Sequence, residues 1–287
     1  MLGFCCLAPL GDSLAKVLGE TIPIPMLVFI RFAVQAAVLF PLIWAVGQPV
    51  RLPSGTAKLI LLRTVLHIIG IGCMFSALQY LPLADAIAIA FVMPFIMLLL
   101  GHYILGEEVG RHRLIACAVG FVGTLLVIQP NFAEVGLPAL LPLVVAVVFA
   151  LFMLVTRKIA KTIGAVPLQA ISGLQASLML LPVLFLMPQA PDITAIRGDI
   201  WLLLALGLLG TLAHLLMTWS LRFAPSATLA PMQYLEIPIG TLIGWWVFQD
   251  LPNGLAALGI VITMASGLYI ILRERRLSQH PKSTAAT

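Results

Sequence analysis

Charge is what this 287-residue chain has least of. Asp, Glu, Lys and Arg make up 9% of it, against roughly a quarter in soluble domains. With 61% hydrophobic residues and a mean hydropathy of +1.11, too little polar surface is left to build a water-facing shell, so lipid has to face most of the outside. Cysteine is scarce too. Cys5, Cys6, Cys73 and Cys117 lie in apolar segments without CxxC spacing or a histidine partner, which argues against a zinc site or a disulfide framework. No GxxxxGK[ST] run occurs, and no polar stretch is long enough for a nucleotide-binding domain, so ATP is not expected to power the chain. HExxH, GxSxG and clustered Asp/His signatures are missing as well, which weighs against the alternative class, an intramembrane lipid-modifying enzyme. No metal and no cofactor is expected. The pI near 9.3 invites a nucleic-acid partner, but the basic residues are scattered in small groups between apolar segments, which is a topological pattern.

Apolar runs are abundant. At about 20 residues per crossing, with Gly, Pro and charge as punctuation, ten spans are predicted: 3–20, 26–46, 58–79, 85–105, 112–129, 138–158, 167–187, 200–222, 226–248 and 254–272. The fold class expected is therefore an all-α membrane protein. The first segment holds Asp12 and Lys16 at its middle, unlike a cleavable signal peptide, and is read as a retained helix. Arg51, Lys58, Arg63, Arg111, Arg113, Arg157, Lys158, Lys161, Arg222, Arg273, Arg275, Arg276 and Lys282 all fall on one side if both termini are cytoplasmic, as the enrichment of Lys and Arg in inner loops demands. The opposite side holds Arg197 with Glu20, Asp85, Glu134, Asp192, Asp199 and Asp250.

The chain also repeats itself. LPLADAIAIAFVMPF, an acidic pair and a helix ending GTLLVI are followed 143–144 residues later by APSATLAPMQYLEIP, Asp250 and a helix ending GLYII. Five spans per half place the second copy in the membrane upside down, the inverted-repeat arrangement of secondary transporters. The halves are drawn at 1–130 and 131–272, with a cytoplasmic tail at 273–287. Pro94 and Pro238, near the middle of spans four and nine, are candidate helix breaks or hinges.

GDSLAKVLGE with PMLVFIRF, LPLADA…P…GEE, and LRFAPSATLAPMQYLEIPIG…FQD together resemble the drug/metabolite transporter superfamily, in its ten-span EamA type, over nearly the whole chain. The opening from Asp12 to Phe32 is most similar to the branch of bacterial riboflavin and S-adenosylmethionine uptake carriers. The resemblance implies two inverted five-helix repeats, a bacterial inner-membrane location, and a small-molecule cargo. Riboflavin is the first choice, with S-adenosylmethionine or an exported amino acid as alternatives. Gln249–Asp250 stands where the first half has Glu107–Glu108, a departure from the pattern.

Charge at bilayer depth costs about 2.5–3.5 kcal/mol on insertion scales, so each buried polar residue calls for a partner, a wet cavity or a role. Asp12 and Lys16, four apart on one face, either neutralise each other or contact substrate. Arg31 can hold a carboxylate, a phosphate or an imide edge, or pair with Glu20. Span three carries Arg63, His67 and Gly70, and span eight carries Gly207, Thr211, His214, Thr218 and Arg222, each as a stripe on one helix face. His67 and His214 are thus expected to face one central cavity, where histidine titration can couple transport to protons. Glu236, two residues before Pro238 and beside Gln233 and Tyr234, is a candidate substrate- or proton-binding acid, or else a salt-bridge partner of Lys16 or Arg31. Phe91, Trp219 and Tyr234 are candidate stacking rings, and Gln79 and Gln233 candidate hydrogen-bonding groups for a flavin. Glu107 and Glu108, near Arg111 and Arg113, suggest a gate. Trp201, Trp245 and Trp246 suit the interfacial belt, and Ala84/Ala88 and Gly240/Gly244 suit close helix packing.

Overall fold

Because lipid offers backbone groups no hydrogen bonds, a chain this apolar has to satisfy every N–H and C=O internally, and the described residues do so as helices. The structure, a computed structural model, describes residues 1–47, 55–106, 110–187, 193–224 and 229–279. In chain order it has α1 (Leu2–Leu18), α2 (Ile24–Val46), α3 (Ala57–Ala77), α4 (Leu83–Ala90), α5 (Met93–Leu105) and α6 (Arg111–Val135). A 3-10 turn (Leu137–Leu140) leads into α7 (Leu141–Ala160), followed by α8 (Ala165–Phe185), the short α9 (Ile193–Gly198) and α10 (Ile200–Phe223). A second 3-10 segment (Ala230–Leu235) precedes α11 (Glu236–Phe248) and α12 (Gly254–Gln279).

Among the described residues, eight stretches are long and apolar enough to cross a membrane, against the ten spans expected. The two that fall short have local causes. Helix α1 has 17 residues, about 25 Å at 1.5 Å per residue, less than the roughly 30 Å of a hydrocarbon core. The ninth expected span is interrupted: its first half is 3-10 and regular α-helix starts at Glu236.

Both mid-span prolines sit where such an interruption ends. The fourth span breaks at Phe91–Val92 between α4 and α5, and Pro94 is the second residue of α5. Pro238 is the third residue of α11. Proline is tolerated in a first helical turn because its missing N–H would have no partner there. The carbonyl of Val92 takes both the Phe95 and Ile96 N–H groups across the restart.

Helix α1 packs lengthwise against α10 and touches α11. The other principal pairs are α2 with α8 and α10, α3 with α7, α6 with α12, α5 with α7, and α4 with α11. Gly240 permits the last approach, since a Cβ there would run into the end of the Ile87 side chain. That is the close contact the small-residue spacing predicted. Phe32, Phe75 and Phe152 are fully enclosed in the bundle, whereas Trp44, Trp201 and Trp246 lie on its outside, where a belt of aromatic rings belongs.

Candidate functional site

The bundle encloses a cavity at the level where the fourth and ninth segments are broken. On α1 its wall is Phe4, Leu7, Ala8, Gly11 and Asp12, a single helical stripe. Helices α3, α4, α7 and α10 add mostly apolar wall, including Phe75, Phe149 and Ala213, and the broken segments contribute Phe91, Gln233 and Glu236. Only five lining residues carry polar side chains: Asp12, Arg31, His214, Gln233 and Glu236. All five are among the residues singled out from the sequence. The cavity is about 90 Å³, room for several waters and too little for a metabolite of some tens of atoms.

Arg31 is anchored by geometry, not by an acid on its own face of the bundle. Its guanidinium lies 5.0 Å over the Phe32 ring, with Nη2 2.9 Å from His214 Nδ1 and 3.5 Å from the Gly210 carbonyl. Glycine at 210 makes the seat, because a Cβ there would stand 2.6 Å from Arg31 Nε. Expected pairing of Arg31 with Glu20, or of Glu236 with Lys16 or Arg31, does not occur: the one salt bridge among the described residues is Lys16 to Asp250, at 3.1 Å. Lys16 also donates to the Leu81 carbonyl at 3.2 Å and lies over the Phe248 ring. Asp12 and Lys16 therefore do not neutralise one another. They diverge from the same helix face, Asp12 into the cavity and Lys16 to the end of α11.

Four buried polar atoms on the cavity residues have no hydrogen-bond partner among the described residues: Arg31 Nη1, His214 Nε2, Gln233 Oε1 and Glu236 Oε1. An orphaned buried polar group costs about 1–3 kcal/mol, so their gathering around one chamber is the mark of a surface made to receive polar atoms. His67 lies behind this wall. It is fully buried, its ring 4.4 Å from that of His214 and 4.9 Å edge-on from Phe32, and neither of its nitrogens has a hydrogen-bond partner among the described residues. Tyr234 is likewise behind Phe91, with ring centroids 5.3 Å apart.

Two expected ligand groups point elsewhere. Gln79 is exposed and donates to the Gly19 carbonyl at 2.9 Å, because α3 ends two residues before it, at Ala77. Trp219 is 56% exposed, against Phe223, since it sits five residues after His214 and so faces away from the cavity side of α10. Glu107 and Glu108 lie outside the described residues.

Arg63, which the sequence places both among the inward basic residues and on the His67 stripe of span three, is fully buried, one helical turn from His67. Its fork donates to Thr156 Oγ1 (2.8 Å), Ser172 Oγ (2.7 Å) and Thr218 Oγ1 (3.4 Å), and its plane lies 4.5 Å over Phe152. Gln169 bonds to the same Thr218 hydroxyl and is contacted by Gln35. This polar knot joins α2, α3, α7, α8 and α10 on one side of the cavity. The Lys16–Asp250 bridge joins α1 to the end of α11 on the other.

Phe4 and Phe149 were not anticipated. They stack at 6.4 Å and present edges to His214. Their positions in uniformly apolar helices carry no periodic signal that separates a cavity wall from ordinary core.

Comparison with known proteins agrees with this architecture. A crystal structure superimposes with a TM-score of 0.73 over 96% of this chain and 97% of its own, at 19% identity, a likeness of fold. The riboflavin transporter of Rhizobium johnstonii is 29% identical over 226 residues, 77% of this chain and 72% of that protein. The S-adenosylmethionine uptake transporter of Rickettsia prowazekii is 24% identical over 93% of this chain and 89% of its own. The model of the EamA-like transporter family matches twice, over residues 6–129 and 136–273, and with nearly the whole length so covered, the chain belongs to that family of multi-pass membrane transporters.

Proposed function

We propose that this chain is a secondary transporter that carries riboflavin across the bacterial inner membrane by alternating access, with the cavity between α1, α10 and α11 as its binding site. The observation that carries the reading is the convergence of unpartnered polar atoms from Arg31, His214, Gln233 and Glu236 on one apolar, aromatic-walled chamber. A flavin offers carbonyl and imide edges to such groups and a planar ring to Phe91 and Phe149.

Two inverted halves of five spans, residues 1–130 and 131–272, supply the movement. The twofold family match supports this division, and so does the packing. Exchanging the halves turns the α3–α7 pair into the α10–α1 pair and the α4–α11 pair into that of the second 3-10 segment with α5, and returns α2–α8 and α6–α12 to themselves. In the orientation with both termini cytoplasmic, the Arg63 knot closes the inner side and the Lys16–Asp250 bridge the outer side. A chamber of about 90 Å³ is then too small for the cargo as it stands, and rocking one half on the other opens either seal in turn. Pro94 and Pro238 start the half-helices at the hinge level, and Glu107–Glu108 would stand as a further inner gate. No cofactor is called for.

The two acids at the cavity, Asp12 and Glu236, against one arginine also favour a second cargo, S-adenosylmethionine, whose sulfonium is cationic. Amino-acid export is the third candidate. A thermal-shift screen of the detergent-purified protein against flavins, S-adenosylmethionine and amino acids separates them, since a ligand of the native state raises its apparent stability. Riboflavin is expected to raise the midpoint. A riboflavin auxotroph that fails to grow on low riboflavin despite confirmed membrane insertion of this chain would exclude that cargo.

A further inference from the structure

One ring nitrogen in this cavity has two neighbours that want opposite things from it. His214 Nδ1 is 2.9 Å from Arg31 Nη2 and 3.0 Å from the Gly210 carbonyl. A guanidinium can only donate, so the contact with Arg31 requires a bare Nδ1 lone pair and places the ring proton on Nε2. A carbonyl can only accept, so the contact with Gly210 requires Nδ1–H. The two bonds are mutually exclusive, and the protonation state of the ring selects between them.

We infer that His214 is a proton-binding site that switches Arg31 between a bound and a free position, so that protons and cargo move together. A proton delivered by cavity water to Nδ1 breaks the Nη2–H···Nδ1 bond and forms Nδ1–H···O=C to Gly210. The imidazolium and the guanidinium then repel at contact distance in a buried space, and the guanidinium turns toward Asp12, which lines the same cavity. There its N–H groups face cargo. Release of the proton reverses each step. The inference rests on the transporter reading of this cavity.

Charged and titratable groups reach the surroundings of His214 from the helices packed against α10. Helix α2 brings Arg31, and α3 brings Arg63 and His67. Helix α1 brings Asp12 to the cavity, while its Cys5 thiol bonds to the Met232 carbonyl and the Met1 amine to Ser220. Glu236 of α11 lines the same cavity. Arg157 of α7 is held at the far end of α10 by the Leu221 and Arg222 carbonyls, Arg197 of α9 lies at the opposite end, and α8 carries no ionisable residue. Arg63 is already committed to three hydroxyls, so Arg31 is the cation left to respond.

The test is nitrogen NMR of the full-length protein, labelled on histidine and reconstituted in nanodiscs, with His214 assigned from the signals lost in His214→Gln. At about pH 9 the ring is expected as the Nε2–H tautomer, gaining a proton on Nδ1 as the pH falls toward about 5. In Arg31→Gln, which removes the competing cation, the tautomer at alkaline pH is expected to flip to Nδ1–H, directed at Gly210. That variant also provides the assignment if His214→Gln does not fold. A wild-type ring that carries Nδ1–H at alkaline pH, that never titrates in this range, or that ignores the loss of Arg31 overturns the inference. In proteoliposomes, wild-type uptake of labelled riboflavin is expected to accumulate under an inward proton gradient and to fall to equilibration with a protonophore. Accumulation that ignores the protonophore also overturns the inference, whereas complete failure of riboflavin to cross counts against the cargo and leaves the ring spectra to decide the proton site.

Discussion

Gly210 and Gly11 line the same cavity, and replacing each with alanine separates the account's central contact from generic packing. A methyl group at 210 would lie 2.6 Å from Arg31 Nε and 3.0 Å from Cζ and Nη2. Contacts of this kind relax at about 3.5 Å, so the guanidinium must retreat by about 1 Å. The 2.9 Å bond to His214 does not survive that displacement. Overpacking costs about 1–3 kcal/mol and a lost bond to a charged group about 1.5–3 kcal/mol. Alanine returns about 1 kcal/mol of helix propensity. The net is a destabilisation of about 2–5 kcal/mol, a fall in the unfolding midpoint of roughly 5–15 °C for a chain of this size. At Gly11 nothing lies within 4 Å of the added methyl, so Gly11→Ala keeps the gain of about 1 kcal/mol without the clash. Thermal unfolding of both variants in detergent measures the contrast. Gly210→Ala melting at or above the wild-type temperature, or Gly11→Ala falling as far as Gly210→Ala, would refute the seat assigned to Arg31.

Asp12→Asn and Glu236→Gln are expected to lower initial uptake by roughly 10–100-fold, the equivalent of about 1.4–2.7 kcal/mol per lost anchor, while Gln79→Ala and Trp219→Ala stay within about twofold of wild type; radiolabelled uptake measures all four. Lys16→Met, Asp250→Asn and the double variant should each shift stability by less than about 1 kcal/mol, because Asp250 is 39% exposed in this pair and such bridges are weak. A double-mutant cycle in chemical unfolding checks this. Arg63→Lys is expected to be less stable than Arg63→Met, since lysine keeps a buried cation without the planar fork that reaches three hydroxyls, and melting temperatures of the two give the order.

How much of this was readable beforehand depends on the range of the interaction. Helix limits follow from local hydropathy: the second span was expected at 26–46 and is Ile24–Val46, and the eighth at 200–222 and is Ile200–Phe223. The breaks near Pro94 and Pro238 were legible because proline acts on its own backbone. Asp12, Arg31, His214 and Glu236 were legible because charge or imidazole in an apolar helix is costly enough to need a reason. What sequence could not give were partners set by packing. Asp250 is 234 residues from Lys16, and the i, i+4 spacing of Asp12 and Lys16 offered a nearer acid. Arg63 stands on the His67 stripe of span three and also in the positive-inside count, because that rule counts basic residues near span ends and does not distinguish a snorkelling side chain from one turned inward to Thr156 and Ser172. Gln79 lies two residues beyond the end of α3, where direction is not fixed by periodicity.

The measurement that bears most directly on the account is counterflow in proteoliposomes. With unlabelled riboflavin trapped inside and labelled riboflavin outside, a carrier that alternates around the Arg31 cavity predicts a transient overshoot of label, lost in Arg31→Gln. Label that enters no faster than into protein-free vesicles, for riboflavin, S-adenosylmethionine and amino acids alike, would contradict it.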